Sequence, residues 1–547
     1  MSTKETPTMP AAARPSQARL GQISPSLEEF RVLARNHRVI PVTLRVLADS
    51  HTPIGLYRAL ADGAPGTFLM ESAAPGGVWS QHSFIGVRSR ATLTTADGQA
   101  HWIGEPPVGV PLDGNPVQAL ARTVELLQTE RFAGLPPFTS GMVGFLGWES
   151  VRHWEKLPHP PVDDLGLPEL AMNLVSDMAV HDNTDGSVLL IANAINFDGS
   201  DERVDEAWQD AVQRLDEMLS AMGAPLRQPV STVAAAGDPV DDEAGFRAAV
   251  QERWDEAEYL GAIKLGKAAI VDGEVFQVVI SRRFEMANAA TPLDVYRMLR
   301  ASNPSPYMYL YSFVDAQGND YAIVGSSPEA LVTVTGDEVI THPIAGSRPR
   351  GKTVEADQAL AEDLLADEKE RAEHLMLVDL ARNDISKVCL PGSVDVTQFM
   401  EVERFSHIMH LVSTVVGTLS PEKTAYDTLA ATFPAGTLSG APKPRAMRLL
   451  DELEPHRRGL YGGVVGYLDF AGNMDTAITI RTALLRDGVA YVQAGGGIVA
   501  DSQDAAEALE TVNKAAAPLR AVYSAQRLQV FEASAANAGE TKGSSDD

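Results

Sequence analysis

The sequence predicts an α+β fold, antiparallel β-sheets flanked by helices, on three observations. Strand-like and helix-like patterns come in blocks rather than strict alternation, which disfavours a doubly wound parallel sheet. The later half carries the turn dipeptides Asp272-Gly273, Gly336-Asp337 and Asp487-Gly488, which suit antiparallel meanders. A chain of 547 residues exceeds what one hydrophobic core commonly holds, so two domains are expected.

In chain order, residues 1–24 are Ala-, Pro-, Ser- and Thr-rich without periodicity and are expected to be disordered. A first domain, 25–223, combines apolar runs at 67–70 and 187–195, read as strands, with helical spacing over 116–131 and 201–222. The Pro- and Ala-rich stretch 224–245 reads as a linker. A second domain, 246–520, opens with a helix over 246–265. It continues with helices near 355–384, 423–431, 443–453 and 503–517 and a strand over 476–485. The tail, 521–547, is expected to be mostly disordered.

With 44% hydrophobic and 22% charged residues the chain reads as globular, and a net charge of −28 argues against a duplex nucleic-acid partner. An anionic substrate would need local Arg, Lys, backbone N–H groups or a metal against that field. The single cysteine, Cys389, excludes an internal disulfide, a cysteine zinc site and a CxxC pair, which fits a reducing cytoplasm. No secretory leader or membrane-length apolar run is seen, so a soluble, unexported protein is expected.

The chemistry-bearing residues lie between Gly273 and Lys514. In AEHLMLVDLARND (372–384), Glu373 shares a helix face with Leu377 and Leu380, so its carboxylate needs a partner, or it forms a surface salt bridge with Lys369 or Arg371. Glu510 has Ala506, Asn513, Lys514 and Ala517 beside it, which leaves room for a ligand; alternatively Glu507 and Glu510 decorate a solvated helix. Two carboxylates without a soft-ligand set suit Mg²⁺. Arg481, read as projecting from a strand face of small residues, suits a carboxylate as well as it suits a cross-strand ion pair. Gly495, Gly496 and Gly497 are read as joining that strand region to a helix and offering N–H groups to an anion.

GTLSGAPK (436–443) lacks phosphate-loop spacing and is not read as a nucleotide site. His407 and His410 have no third soft ligand nearby, leaving a single acid/base histidine or an ordinary core histidine. Gln277 needs hydrogen-bond partners in the apolar run VFQVVI, and Glu329, after Ser327-Pro328, is placed where a desolvated carboxyl could keep its proton.

Together GEVFQVVISRR (273–283), GSSPEAL (325–331), HPIAGSRPRG (342–351), FSHIMHLV (405–412), FPAGTLSGAPKPRAM (433–447), YGGVVGYLDF (461–470) and AGGGIVADSQDAAEALETVNKA (494–515) resemble the chorismate-utilising enzymes, most closely the large subunits (component I) of anthranilate synthases. The resemblance covers about 26–520. Ala345 stands where similar aminodeoxychorismate synthases have a nucleophilic lysine, and Gln277 where isochorismate and salicylate synthases have a water-activating lysine. Ser347 and Gly496 replace a common Thr and Ala, and Pro444 after Lys443 is unusual.

The resemblance implies Mg²⁺ on Glu373 and Glu510, chorismate held by Tyr461, Arg481, Gly346, Ser347 and the 495–497 glycines, and Glu329 as general acid for loss of the C4 hydroxyl as ammonia adds at C2. His410 and Thr437 would assist release of pyruvate to give anthranilate. Cys389 lacks the flanks of a glutaminase nucleophile, so a separate glutamine amidotransferase subunit is implied, in a heterotetramer of two large and two small subunits. Tryptophan as feedback inhibitor maps to Ser72, Pro306, Tyr307 and Met308. The rival readings are an aminodeoxyisochorismate synthase without the lyase step and a catalytically silent tryptophan or chorismate sensor.

Overall fold

The computed structural model describes residues 19–73, 81–224, 230–233, 242–404 and 408–531. Among them, twenty-two strands form one connected system of hydrogen-bonded sheet, and helices cover its faces. The named strand pairs are antiparallel, as the α+β prediction requires. The segment 1–18, residues 405–407 with His407, and the tail beyond Phe531 lie outside the described residues.

Sheet pairing crosses the position of the expected linker. Strand Thr67–Glu71 pairs with Tyr307–Val314, setting Glu71 opposite Met308. Strand Gly141–Leu146 pairs with Val464–Asp469, setting Gly144 opposite Gly466. A Cβ at either glycine would overlap a neighbouring carbonyl, Ala171 O or Asp475 O, so the close approach needs glycine at both. One apolar cluster accordingly mixes the two halves, from Leu146 and Trp148 to Tyr259, Val278 and Tyr461.

Strand Ser187–Ile195 falls where its apolar run predicted. Helix Val204–Gly223 buries Ala211, Leu215 and Met218, spaced i, i+4, i+7, against the same core as Leu190 and Ala192 of that strand.

Several boundaries differ from the sequence reading, each for a local reason. Gly336-Asp337 and Asp487-Gly488 are two-residue hairpin turns, and both residues of the second have positive φ, 52° and 75°. Asp272-Gly273 instead ends helix Glu256–Val271, with Gly273 at φ 78°. The helix expected over 246–265 is two, because Gln251–Glu252 pairs with the strand Gln277–Ala287 and Asp255 caps a new start. That over 355–384 divides at Asp367, whose carboxylate accepts from the Lys369 and Glu370 amides.

The last helix, Asp504–Ala525, runs eight residues past its expected end, because Ala521, Val522 and Tyr523 are buried. Val230–Val233 and Leu528–Phe531 pair as a two-stranded sheet, so parts of the expected linker and tail are ordered against each other.

A buried ion pair closes the centre of the molecule. Arg458, 3% exposed, donates from Nε and Nη2 to Glu454 at 2.8 and 2.7 Å, and from its two Nη to Leu438 O and Val279 O at 2.6 Å. Glu454 Oε1 also accepts from Ser281 N and Oγ. The guanidinium lies 4.2 Å over the Trp148 ring, from the other half of the chain. Arg458→Met strands a buried carboxylate and should lower the unfolding free energy by about 3–5 kcal/mol, read as a reduced urea midpoint. An unchanged midpoint would refute this role.

Candidate active site

Two neighbouring chain crossings build the site. Strand Asp320–Ser327 ends and Ala330–Thr335 begins around Pro328-Glu329, while Met474–Ile478 gives way to Thr482–Arg486 around residues 479–481. At both places the chain changes sheet partners, from one pairing (327 side with 482–486) to another (330 side with 474–478). Glu329 is fixed there by its carbonyl, which accepts from Ile478 N at 2.9 Å. Its carboxylate Oε2 accepts from Thr437 Oγ1 at 3.3 Å. Thr437 sits in the short helix Gly436–Ser439, beside the Leu438 carbonyl held by Arg458. Burial raises Glu329 above the ordinary carboxylate range, and Lys514, Arg481 and the Thr437 hydroxyl pull the other way.

A narrow cleft opens in front of this carboxyl, lined by Glu329, Thr437, Tyr461, Arg481, Gly495 and Lys514 among others. The strand predicted over 476–485 is broken here, a correction to the reading of Arg481. Arg481 has φ 50°, the left-handed region, so it occupies a corner rather than a pleat. Burial lowers its proton affinity, with Glu329, Tyr461 and Glu510 opposing. No hydrogen bond or salt bridge holds its guanidinium among the described residues. A desolvated, uncommitted guanidinium in a cleft is a carboxylate receptor.

Gly495, Gly496 and Gly497 lie inside strand Val489–Ile498, opposite Ser281, Ile280 and Val279, not in the strand-to-helix connection expected of them. Their use is clearance. A Cβ at Gly495 would meet Tyr461 Oη at 2.8 Å, at Gly496 Glu507 Oε2 at 3.0 Å, and at Gly497 Gln277 Nε2 at 2.7 Å. Burial pushes the Tyr461 phenol well above its usual range, so it stays protonated.

Gln277, 4% exposed, donates from Nε2 to Glu373 Oε1 at 3.1 Å. The partner that the half-buried Glu373 needed is therefore a neutral amide rather than Lys369 or Arg371. Glu510 is half-exposed and pairs with Lys514 Nζ at 2.6 Å, while Lys514 also donates to Gly495 O at 3.1 Å. Carboxylates accumulate beside both. Glu370 is raised by burial and then by Glu373; Glu507 is raised by burial, and Glu510 adds to it while Ser502 opposes. Lys369 acts on Glu507, so the two helices face each other.

His410, in strand Ile408–Thr418, places Nδ1 2.9 Å from Gly346 O. A carbonyl only accepts, so Nδ1 carries the proton and Nε2 of the neutral ring is an acceptor. Burial lowers its proton affinity, Gly346 opposes and Arg481 adds to the lowering. Gly346 has φ 64°, at a bulge, and a Cβ there would lie 3.0 Å from Glu370 Oε2. Ser347 is exposed directly opposite His410 in the register.

Residues 66–520 match the family model described as chorismate binding enzyme. The chain belongs to the chorismate-binding enzyme family. It is 75% identical over 509 residues to anthranilate synthase component 1 of Arthrobacter globiformis, covering 93% of this chain and 95% of that one. It is 56% identical to the protein of that name from Mycolicibacterium smegmatis, over 92% of this chain and 94% of the relative. The crystal structure of anthranilate synthase component I from Streptococcus pneumoniae superposes with a TM-score of 0.69 at 36% identity, covering 81% of this chain and 93% of that one. The menaquinone-specific isochorismate synthase of Escherichia coli, at 18% identity and TM-score 0.64 over 91% and 98% of the two chains, shares the fold.

Within this chorismate-binding enzyme the four residues outside the cleft also converge. Met308 lies opposite Glu71, next to Ser72, and Ala73 N donates to Ser305 O at 3.0 Å. Met308 is buried, Ser72 and Pro306 are half-buried, and Tyr307 Oη donates to Asp475 Oδ1 at 3.1 Å. Sequence reasoning missed Lys514 as a cleft cation and the Glu454–Arg458 pair; the i, i+4 spacing of the latter was the one available signal. Among the described residues no helix is long and apolar enough to cross a membrane.

Removing the uncommitted guanidinium with Arg481→Ala should weaken chorismate binding by about 10- to 100-fold, the range of a charged hydrogen-bonded contact. Titration calorimetry reads this directly, and an unchanged affinity would show that the carboxylates bind elsewhere.

Proposed function

We propose that this chain is the large subunit of an anthranilate synthase, converting chorismate and ammonia to anthranilate and pyruvate at the head of tryptophan biosynthesis. The observation that carries the reading is one cleft in which a carboxyl disposed to keep its proton, Glu329, faces a guanidinium without an ion-pair partner, Arg481. The names of the relatives support it, as do Gln277 and Ala345 at two positions where a lysine would favour other chemistry.

In this mechanism Arg481 takes a carboxylate of the dianion, with Tyr461 Oη, Gly346, Ser347 and the trimmed 495–497 strand shaping the rest of the cradle. Glu329 gives its proton to the C4 hydroxyl, which leaves as water while ammonia adds at C2. The ammonium formed at C2 releases its extra proton, His410 Nε2 then takes the C2 proton as the C3–O bond breaks, and the enolpyruvate set free takes up a proton to become pyruvate. Thr437 holds the Glu329 carboxylate through both steps. Aromatisation drives the sequence forward.

Glu373 and Glu510 are the proposed holders of Mg²⁺, and the clustering of Glu370 and Glu507 beside them, only partly offset by Arg348, Lys369 and Lys514, fits a hard cation. Among the described residues no group of three His, Cys, Asp or Glu is arranged for a metal, so substrate and water oxygens would complete the shell. When bound, the ion would neutralise and orient the ring carboxylate.

Ammonia is proposed to come from a separate glutamine amidotransferase subunit, two of each forming the heterotetramer. Cys389 supports this, because burial pushes its thiol up to about 11 and leaves no nucleophilic thiolate at neutral pH. Tryptophan is proposed to inhibit by binding at Ser72, Pro306, Tyr307 and Met308, and the cytoplasm is the proposed compartment.

The purified chain with chorismate, Mg²⁺ and ammonium should give anthranilate fluorescence, absent when glutamine replaces ammonium and suppressed by saturating tryptophan. Chorismate consumed without fluorescence would favour the aminodeoxyisochorismate synthase, and no consumption would favour the sensor. A rate indifferent to tryptophan would remove the feedback site.

Glu329→Gln should lower kcat by about 10²- to 10⁴-fold. Thr437→Val removes a donor that favours the ionised carboxyl, so it should move the high-pH limb of kcat/KM upward. A downward or absent shift would reassign that limb to another group.

A further inference from the structure

A second, small chamber is also lined by Glu329. Glu329 and Thr437 line both spaces, so this hydrogen-bonded pair is the partition between the substrate cleft and the chamber. The chamber walls mix apolar side chains, with Leu380 and Ala381 from helix Glu368–Ser386, and polar groups, and they carry two further titratable groups, His342 and Asp384. Asp384 is committed, since Lys443 and Lys387 both pair with it. His342 is not.

The hydrogen bonds around His342 fix its tautomer. Thr414 Oγ1 spends its one proton on Gln398 Oε1 at 2.7 Å, so its contact of 3.2 Å with His342 Nδ1 requires the ring nitrogen to donate. Nε2 is then the unprotonated acceptor, and it has no hydrogen-bond partner among the described residues. Burial lowers the proton affinity of the ring, so a proton taken up is readily released. Thr341, the preceding residue, donates to Leu331 O at 3.0 Å, two residues from Glu329.

We propose that Glu329 regains its proton from solvent through this rear chamber, with His342 as a relay acting through Glu329. The inference rests on the functional reading above, in which Glu329 is the general acid. Each turnover sends its proton out with the departing hydroxyl as water and leaves a carboxylate. Substrate fills the front cleft, so the replacement proton arrives from behind. Water hands a proton to His342 Nε2, the imidazolium returns it from the same nitrogen to a chamber water, and that water protonates Glu329, with no net change at His342. His342 is therefore a positioning residue for the proton and not a catalytic one.

Recharging follows the chemistry, so its loss should spare the first turnover and slow the later ones. With ammonium and excess chorismate in a rapid-mixing experiment, His342→Ala should consume one chorismate per site at the wild-type rate. The steady rate should then fall about 10-fold, less than the loss expected for the acid itself. Chorismate KM should be unchanged, and added imidazole should restore the steady rate. Ala381→Leu, which narrows the chamber and leaves His342 in place, should give the same pattern without imidazole rescue.

First and later turnovers slowed alike, or both left as in the wild type, would overturn the relay while leaving the synthase reading standing. A wild-type chain that consumed no chorismate would instead remove the functional reading, and the relay with it.

Discussion

The Glu454–Arg458 pair is the joint on which the site depends. Such a pair gains little net stability over apolar residues of the same volume, because desolvating both charges offsets most of their attraction. Its effect here is positional. Every bond beyond the pair itself goes to a main-chain group or a neighbouring hydroxyl: Leu438 O, Val279 O, Ser281 N and Ser281 Oγ. Leu438 follows Thr437, which reaches Glu329, and Val279 lies opposite Gly497 in the strand pair that places Gln277. A shift of this guanidinium would displace the acid and the glycine strand together.

The same economy governs the two halves of the chain. They are joined by shared sheet rather than by a separable interface, through Thr67–Glu71 and Gly141–Leu146. One consequence runs through Tyr307. Its hydroxyl holds Asp475, whose carboxyl burial pushes up to about 6. Asp475 is in the strand that ends at Ile478, and the Ile478 amide holds the Glu329 carbonyl. A ligand bound between Ser72 and Met308 with different affinities for two positions of Tyr307 would thus bias the placement of the acid, which is the physical content of feedback at a distance.

What could be read in the sequence was residue chemistry within motifs. Glu373 on an apolar helix face demanded a partner, and Gln277 in an apolar strand demanded one as well; the structure satisfies each with the other across 96 residues. Glu329 and Thr437 were likewise singled out separately and meet 108 residues apart. What was not legible was geometry set by tertiary contact. The alternation around Arg481 looks like a continuous strand, but the change of sheet partners turns Arg481 into a left-handed corner. Three consecutive glycines look like a flexible connection, but they are in-register strand whose missing side chains make way for Tyr461, Glu507 and Gln277. Helix ends and the Val230–Val233 pairing went unread because no local signal marks a strand whose partner lies nearly 300 residues away.

Charge gives the last step. A chain of net charge −28 repels a dianion at long range, and screening confines the field to about 8–10 Å at ordinary ionic strength. Recognition of an anion would therefore have to be local, and the cleft holds two cations, Lys514 and Arg481, placed in different ways. Lys514 is anchored to Glu510 and Gly495, so its charge is partly spent and its position fixed. Arg481 carries no such debt among the described residues, which leaves its donors for the ligand. The low dielectric that lowers its proton affinity also strengthens any bond it makes, and among the described residues no ion pair has to be broken for an anion to bind there. The same burial raises the Glu329 carboxyl above its ordinary range. Low dielectric at one corner of the sheet thus acts on Arg481 and Glu329 at once, and both effects would be lost together if the cleft were opened to bulk solvent.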